Sequence, residues 1–292
     1  MYDITALYEA ETVPQAIALL QEHPRAYIIA GGSDMLIRIR KGGLPNCELV
    51  SLRGILNLRG VSLEADETLR IGPLTVFSHL VRDPLIRRHI PPLAEAAEFV
   101  GGPQIRNVGT IGGNICNGAS SADTAPTLLA WDAILEYTGP AGIRQIPIEN
   151  HYLAPGKTAL ARDEILTAIL IPKQNREGYH GCSLKYARRN AMDLAILGCS
   201  VNVRLEAGIL RDVRAAYGVA GPVPLRARTA ENVIRGKPLS EGASLGKAVR
   251  NAINPRTSWR GTQEFRLHLA EELTNRALAQ AIRAAGSSVC DA

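Results

Sequence analysis

Apolar residues recur along this chain at two spacings, and the places where one spacing gives way to the other mark its elements. Behind Thr12 and Pro14, Ile17 and Leu20 fall on one helical face, which predicts a helix over residues 12–20 with threonine as its cap. Tyr27-Ile28-Ile29-Ala30 is a short, β-prone apolar run stopped by Gly31-Gly32, so a buried strand should lead into a tight turn. Asp34 is placed to cap a short helix over residues 35–40, whose basic end meets Gly42-Gly43, and residues 49–52 read as another strand. Residues 61–63 and 69–71 flank an acidic turn as a hairpin, and helices follow near 76–80 and 93–100. After a helix start at Asp123-Thr124-Ala125-Pro126, residues 133–137 and 143–148 form a second predicted hairpin, and a strand over 164–171 ends at Pro172. Strands over 199–205 and 213–219 precede helical segments, the last over 263–285 with Phe265, Leu269, Leu273, Ala277 and Ala281 every four residues.

Between residues 101 and 118 this periodicity lapses. Gly101, Gly102, Gly109, Gly112, Gly113 and Gly118 lie in that stretch, far above the ordinary glycine frequency of about 7%. Such density predicts a loop whose backbone approaches something closely, because a residue without Cβ permits it. Two segments stand out: Ala30-Gly31-Gly32-Ser33-Asp34 after its strand, and Thr110-Ile111-Gly112-Gly113-Asn114 inside the cluster. Each can present consecutive backbone N–H groups to an anion, and a pair of such loops suits a diphosphate. Neither is G-x-G-x-x-G, and neither carries the Lys-Ser/Thr of a P-loop, so the two commonest nucleotide folds lose their support. Taken singly, each Gly-Gly is an ordinary turn.

At 292 residues the chain is long enough for two or three compact units, which the pattern sets at 1–60, 61–175 and 176–290. Hydrophobic residues at 46% and charged residues at 21% describe an ordinary globular protein without long acidic or disordered tails. The net charge of +5 is dispersed in pairs such as Arg87/Arg88 and Arg188/Arg189, and aromatics make up only 4%, which together argue against nucleic acid as a partner. Cys47, Cys116, Cys182, Cys199 and Cys290 are far apart and never in a C-x-x-C pair, so no metal site is expected. With no leader-like amino terminus and no apolar run of bilayer length, a cytoplasmic protein that does not enter the membrane is expected.

Read together, Tyr27-Ile28-Ile29-Ala30-Gly31-Gly32-Ser33-Asp34, the run from Gly102 to Ile115 containing Pro103-Gln104-Ile105-Arg106-Asn107-Val108-Gly109-Thr110-Ile111-Gly112-Gly113-Asn114, residues 117–126, and Glu264-Phe265-Arg266-Leu267-His268-Leu269 resemble the FAD-binding subunits of xanthine dehydrogenase and related molybdenum hydroxylases. The likeness spans nearly the whole chain. It implies an α+β architecture: the two-part FAD-binding fold shared with vanillyl-alcohol oxidase and the carbon monoxide dehydrogenase flavoprotein, followed by a C-terminal α+β domain. By resemblance, Tyr27, Ile28, Ile29, Ala30, Gly31, Gly32, Ser33 and Asp34 with Thr110, Ile111, Gly112, Gly113 and Asn114 would wrap the FAD diphosphate and its flanking ribityl and adenosine parts. Asp123 would hydrogen-bond a cofactor hydroxyl, Leu166 would touch the flavin, and Lys185 would lie close to the isoalloxazine, where a cation stabilises charge on the reduced ring. Without the family, Asp123 is a helix cap, Leu166 a core strand residue and Lys185 a surface lysine.

The resemblance further implies a hetero-oligomer in which a molybdenum subunit hydroxylates the substrate, a 2Fe-2S subunit relays electrons, and this chain passes them to NAD. Some relatives tether the flavin through histidine; Ser33 and Asp34 have no histidine beside them, so a dissociable FAD is expected. The organic substrate lies beyond this chain, and carbon monoxide, aldehyde and N-heterocycle dehydrogenases remain alternatives to xanthine dehydrogenase, as does oxygen to NAD. Two rivals come from other classes. One is a flavin-free scaffold, against which the retained glycines count. The other is a hydrolase, suggested by Gly242-Ala243-Ser244-Leu245-Gly246, although a nucleophile elbow needs a strand before the serine and residues 237–241 are a polar, proline-bearing loop.

Overall fold

Alternation along β1 (Ile4–Glu9), β2 (Tyr27–Ile29) and β3 (Cys47–Ser51) explains the first layer of the computed structural model, which describes residues 2–286. β3 lies between the other two and is parallel to both. Successive side chains point to opposite faces of a strand. Val50 and Ile28 therefore join Ala16, Ile17 and Leu20 of α1 (Val13–Glu22) on one face, while Cys47, Leu49, Tyr27 and Ile29 meet Ile39 of α2 (Met35–Arg40) on the other. Thr12 caps α1 as its spacing suggested, accepting from Gln15 N at 3.3 Å. Asp34 occupies the cap position of α2 but is itself helical in conformation and makes no capping bond.

The second layer is an antiparallel sheet ordered β4-β5-β10-β6-β7, built from β4 (Val61–Leu63), β5 (Leu69–Ile71), β6 (Ile134–Gly139), β7 (Gly142–Pro147) and, after the small hairpin β8 (Tyr152–Ala154) and β9 (Lys157–Thr158), the central β10 (Ile165–Ile171). Every residue of β10 is buried, the mark of a strand covered on both faces. Ile165 turns toward the first unit's core, and Leu166, Ile169 and Ile171 toward a larger core with Trp131 and Tyr137. Helices α3 (Phe77–Arg82), α4 (Pro84–His89), α5 (Pro91–Glu98), α6 (Pro103–Arg106), α7 (Ile111–Cys116) and α8 (Ala125–Ala130) cover this sheet. The stretch 101–118, expected to be loop, thus contains two short helices. Ile111 and Ile115, one turn apart and fully buried, draw α7 into a helix despite its two glycines.

After α9 (Lys173–Arg176), the third layer is the antiparallel sheet β11 (Tyr179–Tyr186), β12 (Leu197–Glu206), β13 (Ile209–Gly218) and β14 (Leu225–Arg226), followed by α10 (Arg228–Ile234), α11 (Ser244–Ala252) and the long α12 (Gln263–Ala284). Leu269, Leu273, Ala277 and Ala281 bury one stripe of α12 against this sheet, whereas Phe265 stays 37% exposed. The sheet's other face meets the second unit through small and polar groups: Thr127 to Ser183 at 2.8 Å, and Asn202 donating to Ala130 O at 2.9 Å. Asp132, held at φ 45°, pairs across the same joint with Arg214 at 3.3 Å and with Arg226. Cys290 and the last positions of the third unit lie outside the described residues. Among the described residues, no helix is long and apolar enough to cross a membrane.

Candidate functional site

The two glycine turns, some eighty residues apart in sequence, touch in space. β2 ends at Ile29, and the chain turns through Ala30 and Gly31 to Gly32, whose φ of +78° is one that L side chains rarely adopt. A Cβ on Gly31 would stand 1.9 Å from Val108 O and 3.0 Å from Gly109 Cα, so only glycine lets the two backbones meet. On the far side of the second turn a Cβ on Gly112 would stand 2.7 Å from Pro73 O, which seats that turn against the segment between β5 and α3.

Their hydrogen bonding differs. In the second turn Ile111 N donates to Thr75 O (3.0 Å), Gly112 N to Pro73 O (2.8 Å), Gly113 N to the capping Thr110 Oγ1 (3.1 Å) and Asn114 N to Thr110 O (3.0 Å). These donors are engaged by the protein itself: Thr75 and Pro73, in the segment between β5 and α3, accept two of them, and Thr110 accepts the other two through its capping hydroxyl and its carbonyl. In the first turn the N–H groups of Gly31, Gly32, Ser33 and Asp34 have no acceptor among the described residues. Consecutive unpartnered amides of this kind form an anion-binding nest. The expectation that both turns offer their amides to one anion is thus corrected: the first offers them, and Val108 and Gly109, just ahead of the second, supply the surface against which the first is folded.

Beside the first turn lies a cavity of about 340 Å³, lined by Ala30, Gly31, Leu74, Val76 and Val108 and by the polar Arg53, Arg59, Thr75, His79, Asn107 and Thr110. Arg59 donates to Arg53 O, holding the two arginines together, and His79 Nε2 lies 3.0 Å from Asp83 Oδ2. Apolar walls with a few convergent polar groups are what a cofactor pocket requires. Arg53, Arg59 and His79 are not singled out by sequence, because each sits in an unremarkable stretch and only the fold brings them together with Asn107 of the glycine-rich run. His79 also qualifies the expectation of no nearby histidine: none is adjacent in sequence, and this one arrives from α3 with its ring held by Asp83.

Asp123 and Lys185 form a second focus. Lys185 Nζ donates to Asp123 Oδ2 and to Phe99 O, both at 2.9 Å, with side chains only 9% and 12% exposed for Lys185 and Asp123. Neither reading from sequence alone survives: Lys185 is not a surface lysine, and Asp123 is not a cap, since α8 is preceded by Thr124. Burial pushes the Asp123 carboxyl up to about 6 against the pull of the Lys185 ammonium. A small void bounded by Phe99, Asp123, Thr127, Ser183 and Lys185 opens beside the pair. Asn114 connects the two foci, its Oδ1 accepting from Thr124 Oγ1 at 2.7 Å, next in sequence to Asp123. Leu166 lines neither space; its side chain is 4% exposed within the core of the second unit, opposite Tyr137 in the sheet.

Behind α7, His151 is fully buried, with Nδ1 2.5 Å from Tyr137 Oη and Nε2 3.2 Å from Ile115 O. Burial depresses its pKa to about 4, so the ring is neutral near pH 7, with Nε2–H donating to the carbonyl of Ile115. Ser244, by contrast, lies on α11 after a 3-10 turn, and its hydroxyl donates to Glu241 O at 2.7 Å. No strand precedes it, so the nucleophile-elbow geometry is absent.

A family model described as the FAD binding domain in molybdopterin dehydrogenase matches residues 3–174, and one described as the CO dehydrogenase flavoprotein C-terminal domain matches residues 183–281. The chain is 41% identical to the putative xanthine dehydrogenase FAD-binding subunit of Escherichia coli K12, over 99% of this chain and 100% of that one. It is 31% identical to the nicotinate dehydrogenase FAD-subunit of Eubacterium barkeri over 80% of each. Among solved structures it is similar to carbon monoxide dehydrogenase from Hydrogenophaga pseudoflava, with a TM-score of 0.92 and 29% identity over 97% of this chain and 99% of that one.

Proposed function

The chain belongs to the FAD-binding subunits of the molybdopterin dehydrogenases, and from that membership we propose that it is the flavin subunit of a xanthine dehydrogenase, taking electrons from a 2Fe-2S partner and delivering them to NAD. FAD supplies the junction chemistry, accepting electrons singly and releasing them as a pair. The residues of this chain hold and tune it. The amides of Gly31, Gly32, Ser33 and Asp34 receive the diphosphate, with Arg53 and Arg59 in the adjoining cavity contributing positive charge. Thr110, Ile111, Gly112, Gly113 and Asn114 follow directly on the Val108 and Gly109 backbone against which the first turn packs, and Asn114 carries the register on to Asp123. Lys185 provides the cation beside the ring system, and Asp123 sets where that cation points. Tyr27, Ile28, Ile29 and Leu166 act through the strands that bring these turns together.

The observation that carries this reading is the row of unpartnered amides beside a cavity with two arginines, in a chain that is 41% identical to a putative xanthine dehydrogenase FAD-binding subunit. Xanthine dehydrogenase is preferred to another molybdenum hydroxylase on that identity, against 31% for the nicotinate dehydrogenase subunit. No histidine is adjacent to Ser33 and Asp34 in sequence, and the His79 ring in the adjoining cavity is held by Asp83, so the flavin is held without a covalent bond. The test is to purify the chain with the subunits that accompany it. A yellow preparation that releases intact FAD on acid precipitation and reduces NAD with xanthine supports the proposal. A colourless chain that cannot be reconstituted with FAD would leave only a scaffold, and turnover of another substrate in place of xanthine would move the assignment to another enzyme of the family.

A further inference from the structure

The face of the third sheet that meets α8 carries small residues. Its register sets Arg226, Ala216, Ser200 and Ser183 opposite one another in a single row across β14, β13, β12 and β11. Residues two apart along a strand share a face, so Gly218, Gly198 and Lys185 form the next row on the same side. Pro126 of α8 lies over those two glycines, since a Cβ on Gly198 or Gly218 would stand 3.7 or 3.4 Å from its Cγ. Alanine, serine and glycine offer a helix few ridges to lock into, so the register of the sheet on α8 falls to polar groups. Lys185 pairs with Asp123 just before α8, Ser183 meets Thr127, Asn202 donates to Ala130 O, and Asp132 just after α8 pairs with Arg214 and Arg226.

Asp132 is held from both units. Its φ of 45° is one that side-chain-bearing residues avoid, and strain of that kind persists only where the surroundings enforce it. Its carbonyl accepts from Asn175 Nδ2 at 2.8 Å, while its carboxylate faces Arg214 at 3.3 Å, Arg228 at 3.9 Å and Arg226. Arg226 is buried and fixed by a two-pronged pairing with Glu231, Nε to Oε1 at 2.8 Å and Nη2 to Oε2 at 2.6 Å; Glu231 in turn accepts from Ala215 N of β13 at 2.9 Å. The guanidinium is therefore rigid with respect to the sheet, and Asp132 ties it to the end of α8. From Arg226 to Ser183 the row crosses three strand spacings, about 14 Å, and Lys185 is the next residue of β11 on that face. We propose that Asp132 is a positioning residue for Lys185: through Arg226 and the row that it ends, Asp132 fixes where the sheet seats on α8 and so holds the lysine against Asp123. The consequence for the flavin rests on the reading of Lys185 given above; the seating does not.

The amide of Ser183 reports the seating, because it donates across the joint to Glu95 Oε2 at 3.3 Å. Asp132→Asn removes the charge and keeps a side chain that tolerates positive φ. In the FAD-loaded protein the Ser183 amide should then exchange its hydrogen about tenfold faster, while amides of the β12 and β13 ladder keep their rates. The flavin equilibrium should move about tenfold toward the oxidised form, a fall of about 30 mV in the two-electron potential. With Lys185→Met already in place, Asp132→Asn should move the potential no further. A residue that only adds stability would lower Tm and leave the potential alone. Should Asp132→Asn not fold, Asn202→Ala removes the neighbouring hydrogen bond to Ala130 O without a change of charge, and the same two readouts apply to it. Unchanged exchange at Ser183 would overturn the proposal. Faster exchange with an unaltered potential also overturns it, if Lys185→Met alone lowers that potential. If exchange quickens and neither variant moves the potential, the seating by Asp132 stands and the role given to Lys185 beside the flavin fails.

Discussion

Gly31 and Val108 meet backbone to backbone, with no room for a single carbon between the Gly31 α-carbon and the Val108 carbonyl oxygen. That contact turns two separate turns into one site. Gly31→Ala forces a methyl into a carbonyl, and the turns must part. Overpacking of this kind costs about 1–3 kcal/mol, so a lower Tm together with loss of most bound FAD is expected. Gly32→Ala makes a useful contrast. Its strain comes from a φ of +78°, and its nearest neighbour is the flexible end of Leu36 at 3.2 Å, so a cost of about 1 kcal/mol with most of the flavin retained is expected. Flavin-to-protein absorbance ratios and thermal melts of the two variants decide this. Equal flavin content in both would mean that the close approach does not shape the site.

Arg59 lines the cavity beside the unpartnered amides and is exposed, so its removal leaves the core intact. If its charge serves the diphosphate of FAD, Arg59→Ala should weaken FAD binding about tenfold. Riboflavin, which has no phosphate, should bind the variant and the wild type alike. Parallel titrations of the apoprotein with both ligands separate a phosphate contact from a general loosening, since loosening would weaken both.

How much of this was legible in the sequence depended on whether an element's pattern was local. The helix behind Thr12, the strand at Tyr27 and the hairpin of β6 and β7 announce themselves through periodicity and turn residues, and the structure has them there. The density of six glycines between residues 101 and 118 predicts a loop whose backbone approaches something closely. That stretch folds into α7 because Ile111 and Ile115 find a core and Pro73 closes on Gly112, facts set by residues far away. Periodicity does not predict β11, which carries Lys185, since Tyr179–Tyr186 mixes polar, glycine and apolar positions and is paired into a sheet by β12. The residues Arg53, Arg59 and His79 show the same limit: nothing in their own neighbourhoods signals a shared cavity.

Asp123 titrates where it can be measured. Its folded pKa of about 6 lies above its ordinary value of 3.8, so between these values the folded protein holds more protons than the unfolded chain. Stability of the flavin-free protein contributed by this group is therefore full below about pH 4 and is lost as pH rises through 6, by about 3 kcal/mol. Asp123→Asn removes the titration and keeps an oxygen facing Lys185. The difference in unfolding free energy between variant and wild type should then shift in the variant's favour by that amount from pH 4 to pH 7. A difference independent of pH would show that the carboxyl is better solvated than its burial implies.

His151 titrates with the opposite sign. Its pKa is depressed from 6.5 to about 4 by burial, so between those values the unfolded chain binds the extra proton and stability rises with pH. The contribution is complete above about pH 6.5 and is lost as pH falls toward 4, again about 3 kcal/mol, because a charged imidazole would have to sit in a fully buried site. The ring holds the carbonyl of Ile115, the buried residue near the end of α7, while the start of α7 follows directly on the turn that meets Gly31. Acid should thus unfold wild type more steeply than His151→Gln between pH 6.5 and 4.5, although the variant begins from a lower stability at pH 7. Denaturant unfolding of the two proteins across this range supplies the comparison. Parallel curves would mean that His151 is accessible to water, and that the tether behind α7 is not the dry hydrogen-bonded pair with Tyr137 described above.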